Sequence, residues 1–302
     1  MAMRRVGRVK GITERKHNLV GYMFLSPLIL VFSVFLLYSF YFLIRYSTTH
    51  MVIASPDVTP AGFSNYALVL SDRKFWTALL NTFLVSGADI FVGLTLGFLV
   101  SVLLSFKFRG RKFFHSLFFI PSMLPIAFIA AVFSSMLEYR EGTLNNVFRF
   151  FRLDFLAQRW LSEPGLALFS VMSVAIYLIG IPIMYYIADL TTINSSVFEA
   201  AIIDGAGFWR LARFILYPLL KNAHKTIALS MLLGGFRQME RVYLMTDGGP
   251  GGATEIFGTY IYRMIRSPGS DYGIVSAAAV LILIIAFILA AVQMRFFRKK
   301  GG

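Results

Sequence analysis

Three features of this 302-residue chain predict an all-α polytopic membrane protein with six transmembrane helices and both termini cytoplasmic. The first is composition: 57% of residues are hydrophobic and 15% charged, with a mean hydropathy of +0.70, whereas ordinary soluble domains carry about 25% charge. The second is the length of the apolar runs. A helix needs about 20 mostly apolar residues to cross a hydrocarbon core of roughly 30 Å, and several runs here reach that length. The third is the placement of Lys and Arg in short clusters at the ends of those runs.

The apolar segments are drawn at 19–45, 76–106, 113–137, 164–190, 222–246 and 273–297. They divide the chain into a basic N-terminal tail (1–18), a transmembrane domain (19–297) and a short C-terminal tail (298–302). The first segment follows a basic stretch, but its apolar run exceeds the 7–15 residues of a signal peptide and lacks a small-x-small cleavage site, so it reads as an uncleaved anchor. The second carries Asp89. Between the third and fourth, the loop 138–163 holds a run from Leu144 to Leu161 that mixes aromatic, Leu and Arg residues; a helix lying along the membrane surface and an ordinary capped loop helix both fit it. The fifth segment is the weakest because Arg237, Glu240 and Arg241 lie near its end.

Orientation follows from charge. The tail before 19 and the segments 107–112, 191–225 and after 294 contain 6, 4, 4 and 4 basic residues, 18 of the chain's 29, which places them in the cytoplasm. The loops 46–75, 138–163 and 247–272 balance their basic residues with Asp57, Asp72, Glu138, Glu141, Asp154, Glu163, Asp247, Glu255 and Asp271, and are expected outside. A net charge of +14 would suit nucleic acid, but clusters confined to membrane edges do not form a phosphate-tracking surface. The absence of cysteine removes disulfides and thiolate chemistry. No G-x4-G-K-[S/T] or H-E-x2-H pattern occurs, nor G-x-S-x-G, and histidines 17, 50, 115 and 224 are too scattered for a metal site. No catalytic residue, metal ligand or resident cofactor is expected. For His115 and His224, beside basic membrane-edge residues, solvation is the expected role.

The long segment 191–220 on the cytoplasmic side has its own pattern. Ser196 followed by Glu199 is a capping-box spacing, predicting a short helix from about 197 that stops at Gly205, where a left-handed backbone is needed. A second amphipathic stretch runs to Pro218, which a helix interior disfavours. Small residues Ala200, Ala201, Gly205 and Ala206 would let another surface approach closely.

These residues carry a resemblance. Glu199-Ala200-Ala201, Asp204-Gly205-Ala206 and Pro218 form E-A-A-x2-D-G-A-x11-P, which resembles the E-A-A loop of binding-protein-dependent ABC importer permeases, whose fold is the type I importer fold. Further pieces are similar to the carbohydrate (maltose and multiple-sugar) branch: Asn81-Thr82, Phe119 to Pro125, Leu161 to Leu168, and Val242 to Glu255 with its Gly-Gly-Pro and Ala-Thr-Glu. The resemblance implies that Glu199, Ala200, Ala201, Asp204, Gly205, Ala206 and Pro218 couple the chain to a separate ATP-binding subunit. It implies partners as well: a second, related permease, a dimer of cytoplasmic ATP-binding subunits that hold ATP and Mg, and an extracytoplasmic solute-binding protein docking near the turn Gly248, Gly249 and Pro250. The expected location is a bacterial cytoplasmic membrane and the expected cargo a sugar, oligosaccharide or polyol, with glycerol phosphate or a glycerophosphodiester as the rival.

The chain departs from the family at Asn194, where proline is common, at Tyr177, where tryptophan is frequent, and at Glu240, where a lone aspartate is usual. Asparagine remains a good residue before a helix. Asn81, Tyr177, Tyr185, Gln238, Glu240 and Tyr243 have the chemistry to meet sugar hydroxyls and ring faces along a solute path. Asp89 is expected to contact another span or a partner rather than solute, and Glu240 to pair with Arg237 or Arg241. An ion-coupled carrier would instead show paired acidic residues in two similar halves, and the sequence has no such symmetry.

Overall fold

The computed structural model describes residues 10–52, 58–106 and 108–299. Residues 1–9 of the N-terminal tail, Asp57, Lys107 and residues 300–302 lie outside them. Helix α1 (Lys10–Ser47) leads to a two-residue ribbon, β1 (Thr49–His50) paired antiparallel with β2 (Thr59–Pro60), and to the short α2 (Ser64–Ser71). Helix α3 (Arg73–Ser105) starts on the Asp72 side chain, which accepts the Lys74 backbone N–H at 2.9 Å, and passes through a π turn at Gly93–Gly97. Helices α4 (Arg111–Met123), α5 (Ile126–Met136), α6 (Thr143–Phe150) and α7 (Pro164–Leu190) follow. After α8 (Ser195–Ile203) and α9 (208–219) come α10 (Lys221–Arg237), α11 (Glu240–Thr246), α12 (Phe257–Arg266) and α13 (Tyr272–Lys299).

Four helical stretches are long and apolar enough to cross a membrane: Gly21–Ser47, Arg73–Ser105, Pro164–Leu190 and Tyr272–Arg295. The other two predicted spans are not single rods. The third is α4 and α5 bent by 100°. Its cause is local: Pro125 offers no N–H and forces Leu124 into extended backbone, φ −74° and ψ 143°. The fifth breaks at Gln238 into the 17-residue α10 and the seven-residue α11. Of the six expected spans, four are continuous apolar helices, one is the bent pair, and α10 with α11 falls short of the length and apolar character of a crossing helix.

Helices pack closely where glycine removes a side chain. A Cβ at Gly235 of α10 would come within 1.8 Å of Ser86 Oγ on α3, and one at Gly97 within 2.7 Å of Pro182 on α7. Lipid supplies no hydrophobic drive between helices, so such close approach is what holds them. Along α1, by contrast, nearly every side chain of the Gly21–Ser47 stretch is exposed; the helix touches chiefly α13.

One end of the molecule is fastened by polar side chains. Asn65 donates to the Ser47 and Thr49 carbonyls at 3.0 and 2.9 Å, Tyr260 to Asp72 at 2.9 Å, and Asp271 accepts the Met51 N–H at 3.0 Å and meets His50 Nδ1 at 2.7 Å. In the loop after α5, Asn145 is fully buried and holds the Tyr139 and Gln158 carbonyls while accepting from Trp160 Nε1 at 2.8 Å. Leu144 and Trp160 pack on the core and the Phe148 ring lies 6.4 Å from that of Trp160, so one side of α6 is held against its own chain. Phe150, Phe151 and Phe155 at its far end are exposed.

Candidate functional site

The segment between α7 and α10 projects as helix, turn, helix. Asn194 caps α8: its Oδ1 accepts the Ser196 N–H at 3.1 Å. The helix therefore begins at Ser195, and the Ser196–Glu199 capping box expected from spacing is replaced by a cap two residues earlier. Gly205 stops α8 at φ +72°, and Ala206 N–H reaches back to the Ala201 carbonyl at 2.9 Å, the six-to-one closure of a Schellman end. Glu199, Ala200, Asp204 and Gly205 are exposed, and Glu199 has no ion-pair partner among the described residues. Ala201 is buried in a cluster with Leu190, Leu211 and Leu216, and Ala206 packs against the same cluster. These two alanines seat the projection on its own chain, leaving Ala200 as the outward one.

The second helix of the projection does not end at Pro218. A π turn over Leu211–Leu216 changes the hydrogen-bond register just before it, and the break comes at Leu220, φ −87° and ψ 20°. The Tyr217 carbonyl is met by His224 Nε2 at 3.0 Å. Because a carbonyl only accepts, that nitrogen carries the proton, and in the neutral ring Nδ1 accepts the Tyr186 hydroxyl at 2.6 Å. His224 is thus a clamp between α7 and the projection, not a solvated edge residue.

Deeper in the bundle, Asp89 of α3 is 6% exposed and Arg241 of α11 fully buried. Arg241 donates to both carboxylate oxygens at 3.1 Å, and Gln238 Nε2 adds a third bond at 3.1 Å. This fork-to-fork geometry is the strongest form of side-chain ion pairing. It corrects the expected Glu240–Arg241 pair: Arg241 turns inward to Asp89, while Glu240 is exposed and makes no ion pair among the described residues.

On the end opposite the projection, Gly248, Gly251 and Gly252 adopt φ of +74°, +60° and +85°. The turn is pinned by Thr254, whose hydroxyl donates to the Gly249 carbonyl at 2.7 Å, and by Asn81 of α3, which gives its amide hydrogens to the Ala253 and Glu255 carbonyls at 2.9 Å each. A cavity of about 380 Å³ lies beside it, lined by Lys74, Thr77, Glu255, Arg263 and the loop glycines. Burial pushes the Glu255 carboxyl up from its ordinary pKa, against the opposing pull of Thr259 and Arg263.

The description "Binding-protein-dependent transport system inner membrane component" matches residues 93–301, more than half of the chain. The chain belongs to this family. Among similar proteins, a probable ABC transporter permease, YurN of Bacillus subtilis, is 30% identical over 286 residues, covering 94% of this chain and 97% of the relative. The trehalose/maltose transport system permease MalF of Thermococcus litoralis is 28% identical, over 93% and 95% of the two chains. The permease fold is shared with a chain in the crystal structure of a bacterial alginate ABC transporter in complex with alginate pentasaccharide-bound periplasmic protein, at a TM-score of 0.80 and 21% identity over 96% and 98% of the two chains. The protein is a multi-pass membrane permease with a predominantly helical fold.

Within the permease, the solute-path residues chosen from sequence divide. Asn81, 4% exposed, is spent on the glycine turn. Gln238 belongs to the Asp89–Arg241 cluster, where its Oε1 is buried without a partner among the described residues. Tyr177 and Tyr185 are each 38% exposed, Tyr177 with its ring 5.8 Å from Phe133. Tyr243 packs edge-on against Tyr262 at 5.0 Å. Two residues of the structure escaped sequence reading: Arg241 as the partner of Asp89, 152 positions away, and His224 as the clamp. Neither has a local signal, since each is defined by a partner on a different helix.

Proposed function

We propose that this permease is one of two transmembrane subunits of an ATP-driven importer that translocates a carbohydrate (a sugar, oligosaccharide or polyol) delivered by an extracytoplasmic binding protein. The observation that carries this reading is the projection at 194–220. A capped helix presents exposed Glu199 and Ala200 beside the left-handed corner at Gly205, a shape suited to a cleft on another protein. In this reading a cytoplasmic subunit, with its own ATP and Mg, holds Glu199, Ala200, Asp204, Gly205 and the exposed Pro218, while Ala201 and Ala206 keep the projection on its helices. Closure of the ATP-binding dimer then moves the projection, and rocking of the spans turns the solute path from outside to inside. Both termini lie in the cytoplasm, six crossings result when the bent and broken pairs each count as one, and the membrane is the bacterial cytoplasmic membrane.

A second, related permease completes the path, to which Tyr177, Tyr185, Gln238, Glu240 and Tyr243 contribute from this side, and the turn Gly248, Gly249 and Pro250 receives the binding protein. The carbohydrate cargo is supported by the relative named for trehalose and maltose and by the alginate importer, which is seen with its periplasmic protein. Glycerol phosphate or a glycerophosphodiester is the rival cargo. An ion-coupled carrier is less well supported, because Asp89, the acidic residue it would need, is already neutralised by Arg241.

The test is to replace Glu199 by Ala and Gly205 by Ala in the assembled transporter. A Cβ at Gly205 meets nothing within 4 Å, so the change costs only the left-handed strain of about 1–2 kcal/mol. Solute-stimulated ATP hydrolysis should fall by about tenfold or more with assembly retained. Unchanged stimulation, or crosslinks at Ala200 that capture no nucleotide-hydrolysing subunit, would reject the reading.

A further inference from the structure

At the end of the molecule that carries the projection, the last turns of α3 and the start of α4 frame an open apolar groove of about 490 Å³. Val100, Leu103 and Leu104 form one wall and Phe108, Phe114 and Phe118 the other, with almost no polar surface between them. The volume falls in the range of sites that hold a small organic ligand. Arg109 in the turn joining the two walls and Arg111 and Lys112 at the start of α4 are all exposed, and none has an ion-pair partner among the described residues. An apolar slot and three exposed cations thus adjoin along the chain.

We infer that this is a binding site for one anionic phospholipid, with an acyl chain in the groove and the phosphate on Arg109, Arg111 and Lys112. Charge selects the occupant. A neutral lipid or an apolar partner helix would fill the slot but make no use of the three exposed cations beside it. A lipid of the anionic class satisfies both parts, and basic pockets between helices at the cytoplasmic surface bind such headgroups. The membrane assignment suffices for this site, whatever solute the transporter carries. It also borders the projection: Phe106, which lines the groove, has its ring 6.0 Å from that of Phe208 at the start of α9, so an acyl chain seated there bears on the projection.

The complete transporter, purified with its partner chains and delipidated, is titrated with phosphatidylglycerol, phosphatidylcholine or inorganic phosphate, and bound lipid is read by native mass spectrometry. Phosphatidylglycerol should be held at least about tenfold more tightly than phosphatidylcholine. That preference should vanish in the triple variant R109Q/R111Q/K112Q, and retention should drop in Leu103→Trp, which fills the groove from a half-exposed position. Equal retention of the two lipids would overturn the site as merely annular. Full retention by Leu103→Trp, or displacement by inorganic phosphate, would overturn the acyl-chain seat. A crosslink from Phe108→Cys to the second permease in place of lipid would overturn it as well.

Discussion

At the scale of single residues, the Asp89–Arg241 pair is the largest electrostatic commitment inside the bundle. Neither group touches water to any extent, so removing one leaves the other charged and unsatisfied, at a cost of about 3–5 kcal/mol. Asp89→Ala should therefore lower the thermal midpoint of the detergent-solubilised protein sharply, and Asp89→Leu combined with Arg241→Leu should recover much of the loss; equal damage from both would assign the pair another role. Asp89 itself could be picked from sequence as an expensive intramembrane charge. Its partner could not, because two arginines, Arg237 and Arg241, flank the end of α10 and only the break at Gln238 decides which one turns inward. Glu255 supplies a pH dependence. Its pKa is raised by burial, so the folded state holds the proton more tightly than the unfolded chain does. Stability contributed there is greatest below the ordinary carboxylate value and is lost as pH rises through the raised one. From about pH 4 upward, the wild-type midpoint should fall relative to that of Glu255→Gln; parallel curves would exclude the mechanism.

At the scale of elements, the hydropathy pattern was a good guide to where apolar helices lie and a poor one to whether they are continuous. Apolar content says that a segment belongs in the bilayer, while continuity depends on single residues such as Pro125 and Gln238, which act through backbone geometry and tertiary contact. The projection was legible for the same reason in reverse: Gly205 acts locally, through its own φ. Its start was misplaced because Ser196 and Asn194 are both good caps, and only the observed bond from Ser196 N–H to Asn194 chooses between them. Helix spacing was not readable at all, since nothing in the sequence says which glycine faces a neighbour. Gly97→Val, pressed against Pro182, should destabilise the fold by about 1–3 kcal/mol, whereas Gly234→Val, with nothing within 4 Å of its Cβ, should be close to neutral. Thermal unfolding of the two variants side by side measures the difference.

At the scale of the whole molecule, the membrane class and family were readable from composition and the E-A-A loop. The cross-links between remote segments were not. His50 and Asp271 are 221 positions apart, yet their contact ties the end of α1 to the start of α13. The Asp271 carboxyl is held below its ordinary pKa: partial burial acts to raise it, but hydrogen bonds from Met51, His50 and Gly273 outweigh that. Asp271→Ala should accelerate amide hydrogen exchange in residues 45–52 and 268–275 together; acceleration of only one stretch would show that the tie is not shared. Such ties through Asn65, Asn145, Tyr260 and Asp271 gather at one end, whereas the projection at the other rests mainly on packed leucines and alanines with the His224 clamp. Hydrogen bonds hold their partners to one distance and angle, whereas apolar contacts are non-directional. In the importer we propose, the bonded end is the fulcrum and the end seated on apolar contacts is the part that shifts.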